Sequence, residues 1–152
     1  MSGSMREPAR VGEAEDGVRT ARVARPGDHP GQVGRFGNIT RMVIHPDESD
    51  PTAPNTGTIT YPPGTGFPAH RHRFAQVWYV LEGECRYGER ALRAGDLVYH
   101  GDPHQEHDMH TEHGCTMLFV QYPGPNTGER PIYEGRFDPR AETPEADLDL
   151  ER

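Results

Sequence analysis

Six short runs in this chain are rich in apolar and β-branched residues: ITRMVIH (39–45), TGTITY (56–61), AQVWYVLE (75–82), ECRY (84–87), DLVYH (96–100) and CTMLFVQY (115–122). Glycine or proline clusters bound most of them, which predicts strands. EGE at 82–84 and RAGD at 93–96 read as turns between strands. No stretch has the spacing of an amphipathic helix, and no segment repeats. The pattern predicts an all-β fold, a small barrel or sandwich.

Outside these runs the periodicity fades. Residues 1–30 are small, charged or Gly/Pro, and predict a flexible N-terminal arm. The ordered domain is expected at 31–137, with Ile132, Tyr133 and Phe137 tacking its last stretch down. Residues 138–152 predict a loose acidic tail.

Composition narrows the function. The 152 residues suffice for one domain, and with 32% hydrophobic residues, 18 Gly and 15 Pro they suit short elements joined by many turns. A net charge of -8 disfavours nucleic acid and anionic membranes as partners. No apolar run approaches a membrane span or the core of a secretory signal. Cys85 and Cys115 make no disulfide framework and read as packed thiols, so a cytoplasmic location is expected. All 16 basic residues are arginine, which excludes lysine Schiff-base chemistry. Histidine, carboxylate, cysteine or a metal must do the work.

The candidate site is HRHRFAQVWYVLEG, residues 70–83. On an extended chain His70, His72, Gln76, Trp78 and Val80 share one face, while Arg71, Arg73, Val77, Tyr79 and Leu81 take the other. Two imidazoles above an aromatic and an aliphatic suit the inside of a barrel, with ligands at one end and packing below. Trp78, Met109, Phe67 and Phe119 are the candidates for the lining of a substrate pocket.

GTGFPAHRHRFAQVWYVLEG resembles the first motif of the cupin superfamily, with Gly64, His70, His72 and Gly83 in register and Gln76 at the usual glutamate position. LRAGDLVYHGDPHQEHDMH is similar to the second motif, in a degenerate form. The resemblance spans about residues 55–121 and implies a small cupin or jelly-roll barrel with a divalent metal. Histidines at 104, 107, 110 and 113 compete for the second-motif ligand. The family pattern favours His107, whose parity continues inward through Met109 and Thr111. His104 is the second choice, because its parity runs through Glu106, Asp108 and His110, too charged for a barrel interior.

The expected ligand set is therefore His70, His72 and His107, with Gln76 as a weak fourth ligand or a hydrogen-bonding neighbour. Three neutral imidazoles leave a divalent metal its full charge and favour an anionic substrate in the open positions. Cupins without the glutamate include three-histidine ferrous oxygenases, so the resemblance implies a dioxygenase of a small chelating acid, diketone or thiol. Iron is the preferred metal, with zinc, nickel, copper and manganese as alternatives. A cupin isomerase, cyclase or dehydratase using His70 or His107 as acid/base is the second reading. A non-catalytic small-molecule-binding module is the third. The family and the long N-terminal arm also favour a homodimer.

Overall fold

A computed structural model describes residues 12–13, 18–50 and 52–122. The strands are β1 (Gly12–Glu13), β2 (Arg19–Thr20), β3 (Gln32–Val33), β4 (Ile39–Ile44), β5 (Asn55–Tyr61), β6 (Thr65–Phe67) and β7 (His70–His72). They continue as β8 (Ala75–Tyr87), β9 (Arg90–Arg93), β10 (Leu97–His100), β11 (His104–Glu106), β12 (Met109–Thr111) and β13 (Cys115–Tyr122). Among the described residues the one helical element is a 3-10 turn at Pro26–Asp28. The all-β barrel expected from the strand pattern is what the chain forms.

β8 organises the fold. Its first half pairs with β13 and β10, within a sheet that runs β3-β4-β5-β13-β8-β10. Its second half pairs with β9 and β12, and β12 continues to β6. Beyond short interruptions at 68–69 and 107–108, the chains of β6 and β12 pair again as β7 and β11. These ladders curl around one interior.

The expected turn at EGE is absent, because β8 runs through Gly83. Gly83 has φ 78°, a left-handed value, and the register against β13 shifts beside it. A Cβ there would lie 2.1 Å from the Gly114 carbonyl oxygen, so glycine lets the two backbones meet where the strand bends. The turn at RAGD is present. Asp96 N–H donates to Arg93 O at 3.0 Å, and Arg93 N–H donates to Asp96 Oδ2 at 2.9 Å.

Alternation fills the interior. In β13, Cys115, Met117, Phe119 and Gln121 are buried while their neighbours are half-buried. Tyr61, Phe67, Trp78, Val80, Tyr87 and Met109 pack with the first three of these in one cluster. Burying each large side chain contributes about 1.5–3 kcal/mol. Residues 18–30, read above as part of an arm, hold defined contacts: Arg19 donates to Ser49 O at 2.8 Å, and Arg19 and Arg22 pair with Asp50 at 3.3 and 3.5 Å. The acidic tail and the trio Ile132, Tyr133 and Phe137 lie outside the described residues. No helix among those described is long and apolar enough to cross a membrane.

Candidate metal centre

His70 and His72 alternate inward on β7, and across the ladder His104 faces His72 and Glu106 faces His70. Each of His70, His72 and Glu106 offers one ligand atom, and these atoms lie within 4.8 Å of one another. His70 Nε2 is 3.1 Å from His72 Nε2 and 3.2 Å from Glu106 Oε1, and His72 Nε2 is 3.5 Å from Glu106 Oε2. These three residues line one wall of a cavity of about 150 Å³, whose other walls include Tyr61, Phe67, Trp78 and Phe119. Arg35 and Phe36, from the β3–β4 connection, also line it.

The protons show what the cluster is built to hold. His70 Nδ1–H donates to Pro68 O at 2.8 Å, which fixes the ring with Nε2 facing the carboxylate and His72. His104 directs its Nδ1–H at the carbonyls of Phe74 and Gly101, each at 2.9 Å, and its Nε2 lies within hydrogen-bond reach of Glu106 Oε2 at 3.3 Å. Three ring nitrogens converge on a carboxylate in a nearly dry place. That arrangement requires positive charge between them, as protons or as a metal cation. Imidazole nitrogens backed by carbonyl acceptors and a carboxylate oxygen are a donor set that fits iron, zinc or a similar divalent ion.

Glu106 is 3% exposed. Burial alone, the largest influence on it, would raise its pKa, but the His72 charge and hydrogen bonds with His104 and His70 together hold it well below the usual carboxylate range. His100, His104 and Glu106 form a second group with donor atoms within 4.8 Å. His100, however, lies within 2.8 Å of the Tyr87 hydroxyl through Nε2 and does not line the cavity. Burial pushes the His100 pKa down to about 4.

His70, His72, Gln76, Phe67, Trp78 and Phe119, all expected in the site, line the cavity. His107 does not. It is exposed, its ring against Tyr87 at 5.1 Å, on the far side of the ladder from His70. The expected parity fails because the ladder breaks at His107–Asp108. Glu106 closes β11 facing inward and Met109 opens β12 facing inward, although they stand an odd three positions apart. Met109 is buried in the core and lies outside the cavity lining. Gln76 does not offer its oxygen to the centre: Oε1 accepts from Gln121 Nε2 at 2.9 Å, while its own NH2 donates to Glu106 Oε2. The carboxylate that was missing from position 76 comes from position 106. Sequence reasoning passed over Glu106, and with it Gln121 and Asn55. A neutral amide at a position that usually carries the metal's carboxylate is itself the signal that an acid should be sought elsewhere.

Residues 34–124, more than half of the chain, match the model of the ChrR cupin-like domain. The chain belongs to that cupin family. Solved cupin structures agree on the fold. An RmlC-like cupin from Shewanella frigidimarina superposes with a TM-score of 0.57 at 21% identity, over 70% of this chain and 95% of that one. The polyketide cyclase RemF from Streptomyces resistomycificus gives 0.56 at 19% identity, over 74% and 83%. A predicted oxalate decarboxylase from Thermotoga maritima gives 0.55 at 17% identity, over 66% and 98%. Identities this low establish the cupin barrel and no shared chemistry. Comparison with curated proteins finds no match.

Proposed function

We propose that this cupin is a metal-dependent enzyme acting on a small, metal-chelating organic substrate, and specifically a non-haem iron dioxygenase. The observation that carries the reading is the convergence of two imidazole Nε2 atoms and one carboxylate on the wall of an apolar cavity. Two histidines and one carboxylate with further positions open are the donor set of ferrous oxygenases. This set replaces the three histidines expected from sequence, and Glu106 lowers the net charge of a bound divalent ion from two to one. A ferrous ion held here supplies Lewis acidity and electrons for reaction with dioxygen.

The chain's own groups have separable tasks. Pro68 O keeps the His70 Nδ1 proton, so that Nε2 faces the cavity as a lone pair. His104 and Gln76 hold the Glu106 carboxylate at Oε2 from two directions. Phe67, Trp78 and Phe119 exclude water from the cavity, and Arg35 is the cation in its lining suited to an anionic substrate. A cavity of about 150 Å³ suits a small substrate. A reducing cytoplasm suits both the ferrous state and the two free buried thiols. A homodimer on this reading covers the exposed apolar residues Tyr79, Leu81, Leu97 and Tyr99 on the outer face of β8 and β10, which sedimentation at several protein concentrations would detect.

The test is elemental analysis followed by oxygen uptake with chelating acids, diketones and thiols. Near-stoichiometric iron and substrate-dependent oxygen consumption are expected. Zinc without oxygen consumption would sink the dioxygenase and leave Lewis-acid isomerase, cyclase or dehydratase chemistry at the same residues. No metal, even after anaerobic loading with ferrous iron, would sink the metalloenzyme.

A further inference from the structure

An ionised carboxylate accepts hydrogen bonds and donates none, so any amide against Glu106 must present its nitrogen. Gln76 does so, with Nε2 donating to Oε2. Its Oε1 is thereby directed away, and accepts from Gln121 Nε2 at 2.9 Å. Gln121 Oε1 in turn accepts from Asn55 Nδ2 at 2.8 Å. The four residues come from β5, β13, β8 and β11, and all are buried. One anion therefore orients three amides in series across the floor of the barrel.

We infer that residues 76 and 106 act as one unit carrying a single negative charge, in which Gln76 is a positioning residue and the charge can occupy either position. The chain of donors requires this. A carboxylate at 76 with an amide at 106 still accepts from Gln121, and now also accepts from the amide at 106, so the exchange strands no donor of the series. Carboxylates at both positions would set acceptor against acceptor with like charge at hydrogen-bond distance. Amides at both would leave His70, His72 and His104 converging on a neutral group. The inference rests on the proposed metal centre only for its metal readout, and its first test needs no metal.

That test is a double-mutant cycle in EDTA: wild type, Gln76→Glu, Glu106→Gln, and the two combined, followed by thermal melting. Each single change is expected to lower Tm by about 5 °C or more, and the combination to recover to within about 2 °C of wild type. Singles without effect, or a combined variant that melts no higher than the worse single or does not fold, would overturn the inference. Cobalt(II) binding and its absorption spectrum give the second readout. Glu106→Gln should weaken binding more than about 100-fold, and the combined variant should return to within about tenfold of wild type. Gln121→Leu touches no ligand but frees the Gln76 amide, and should weaken binding about tenfold. An unchanged affinity would refute the positioning role. A wild type that binds no metal, in a cycle that still recovers, would sink the metal reading and leave the shared charge standing.

Discussion

The same two chain segments pair twice, as β6 with β12 and as β7 with β11, and the two ladders do different things. In the first, Phe67 faces Met109 and the inward side chains pack; the strands run close enough that a Cβ on Gly66 would lie 1.9 Å from the Met109 carbonyl oxygen. In the second, the inward positions are His70, His72 and Glu106, with His104 behind the carboxylate. Backbone geometry is shared, and what differs is which side chains the pleat carries inward. The packing ladder is held by backbone pairing, apolar burial and the hydrogen bonds of the buried Thr111 hydroxyl. The other is held by charge and hydrogen bonds that only a cation completes. A substitution in the packing ladder should therefore damage stability and leave metal affinity in place, whereas one in the other ladder should damage metal binding, with or without a cost in stability.

The sharpest break falls on the metal ladder. His70→Ala/His72→Ala should abolish measurable metal binding, by elemental analysis, while the metal-free protein keeps a cooperative thermal transition. On the packing ladder Met109→Ala should cost about 2–5 kcal/mol in urea unfolding, with little change in metal affinity where the protein remains folded. A variant that lost metal and stability together in both ladders would erase the distinction. Acid should act more weakly, and through a residue of β10 that lies in neither ladder. The His100 pKa is depressed in the folded state to about 4, from an ordinary value of 6.5. The unfolded chain thus takes up a proton that the folded one refuses. His100's contribution is complete above about pH 6.5 and is lost progressively as pH falls to about 4, amounting to roughly 3 kcal/mol in all. Urea titrations of metal-free protein across that window should show the slope, and His100→Gln should flatten it. Smallest of all, His107→Ala lies outside both ladders and should change stability by less than about 0.5 kcal/mol and metal affinity not at all.

Much of the barrel was legible because alternation and β-branching mark strands that are half buried. ITRMVIH, TGTITY, DLVYH and CTMLFVQY all lie within a residue or two of β4, β5, β10 and β13. His70, His72, Gln76, Trp78 and Val80 do share one buried face. The strand that bends was not legible: Gly83 has the left-handed φ of a turn residue, yet hydrogen bonding continues on both sides of it. Glu106 was illegible for a related reason. Parity read through residues 104–111 as though the strand were continuous puts His107 inside, and the two-residue break at His107–Asp108 resets it. Gln121 lay within reach, since it shares the inward parity of Met117 and Phe119, and a polar residue there asks for a polar partner.

β8 belongs to both sheets, and that has a consequence for how the molecule comes apart. Neither sheet can release its strands without unpairing part of a strand that the other sheet also uses. Local opening therefore falls to the peripheral strands β3, β6, β9 and β10 and to the separate β7–β11 pair, while amides in the middle of β8 should exchange only through global unfolding. The β7–β11 pair that carries the candidate metal ligands stands outside that shared ladder, so it can open before the barrel does.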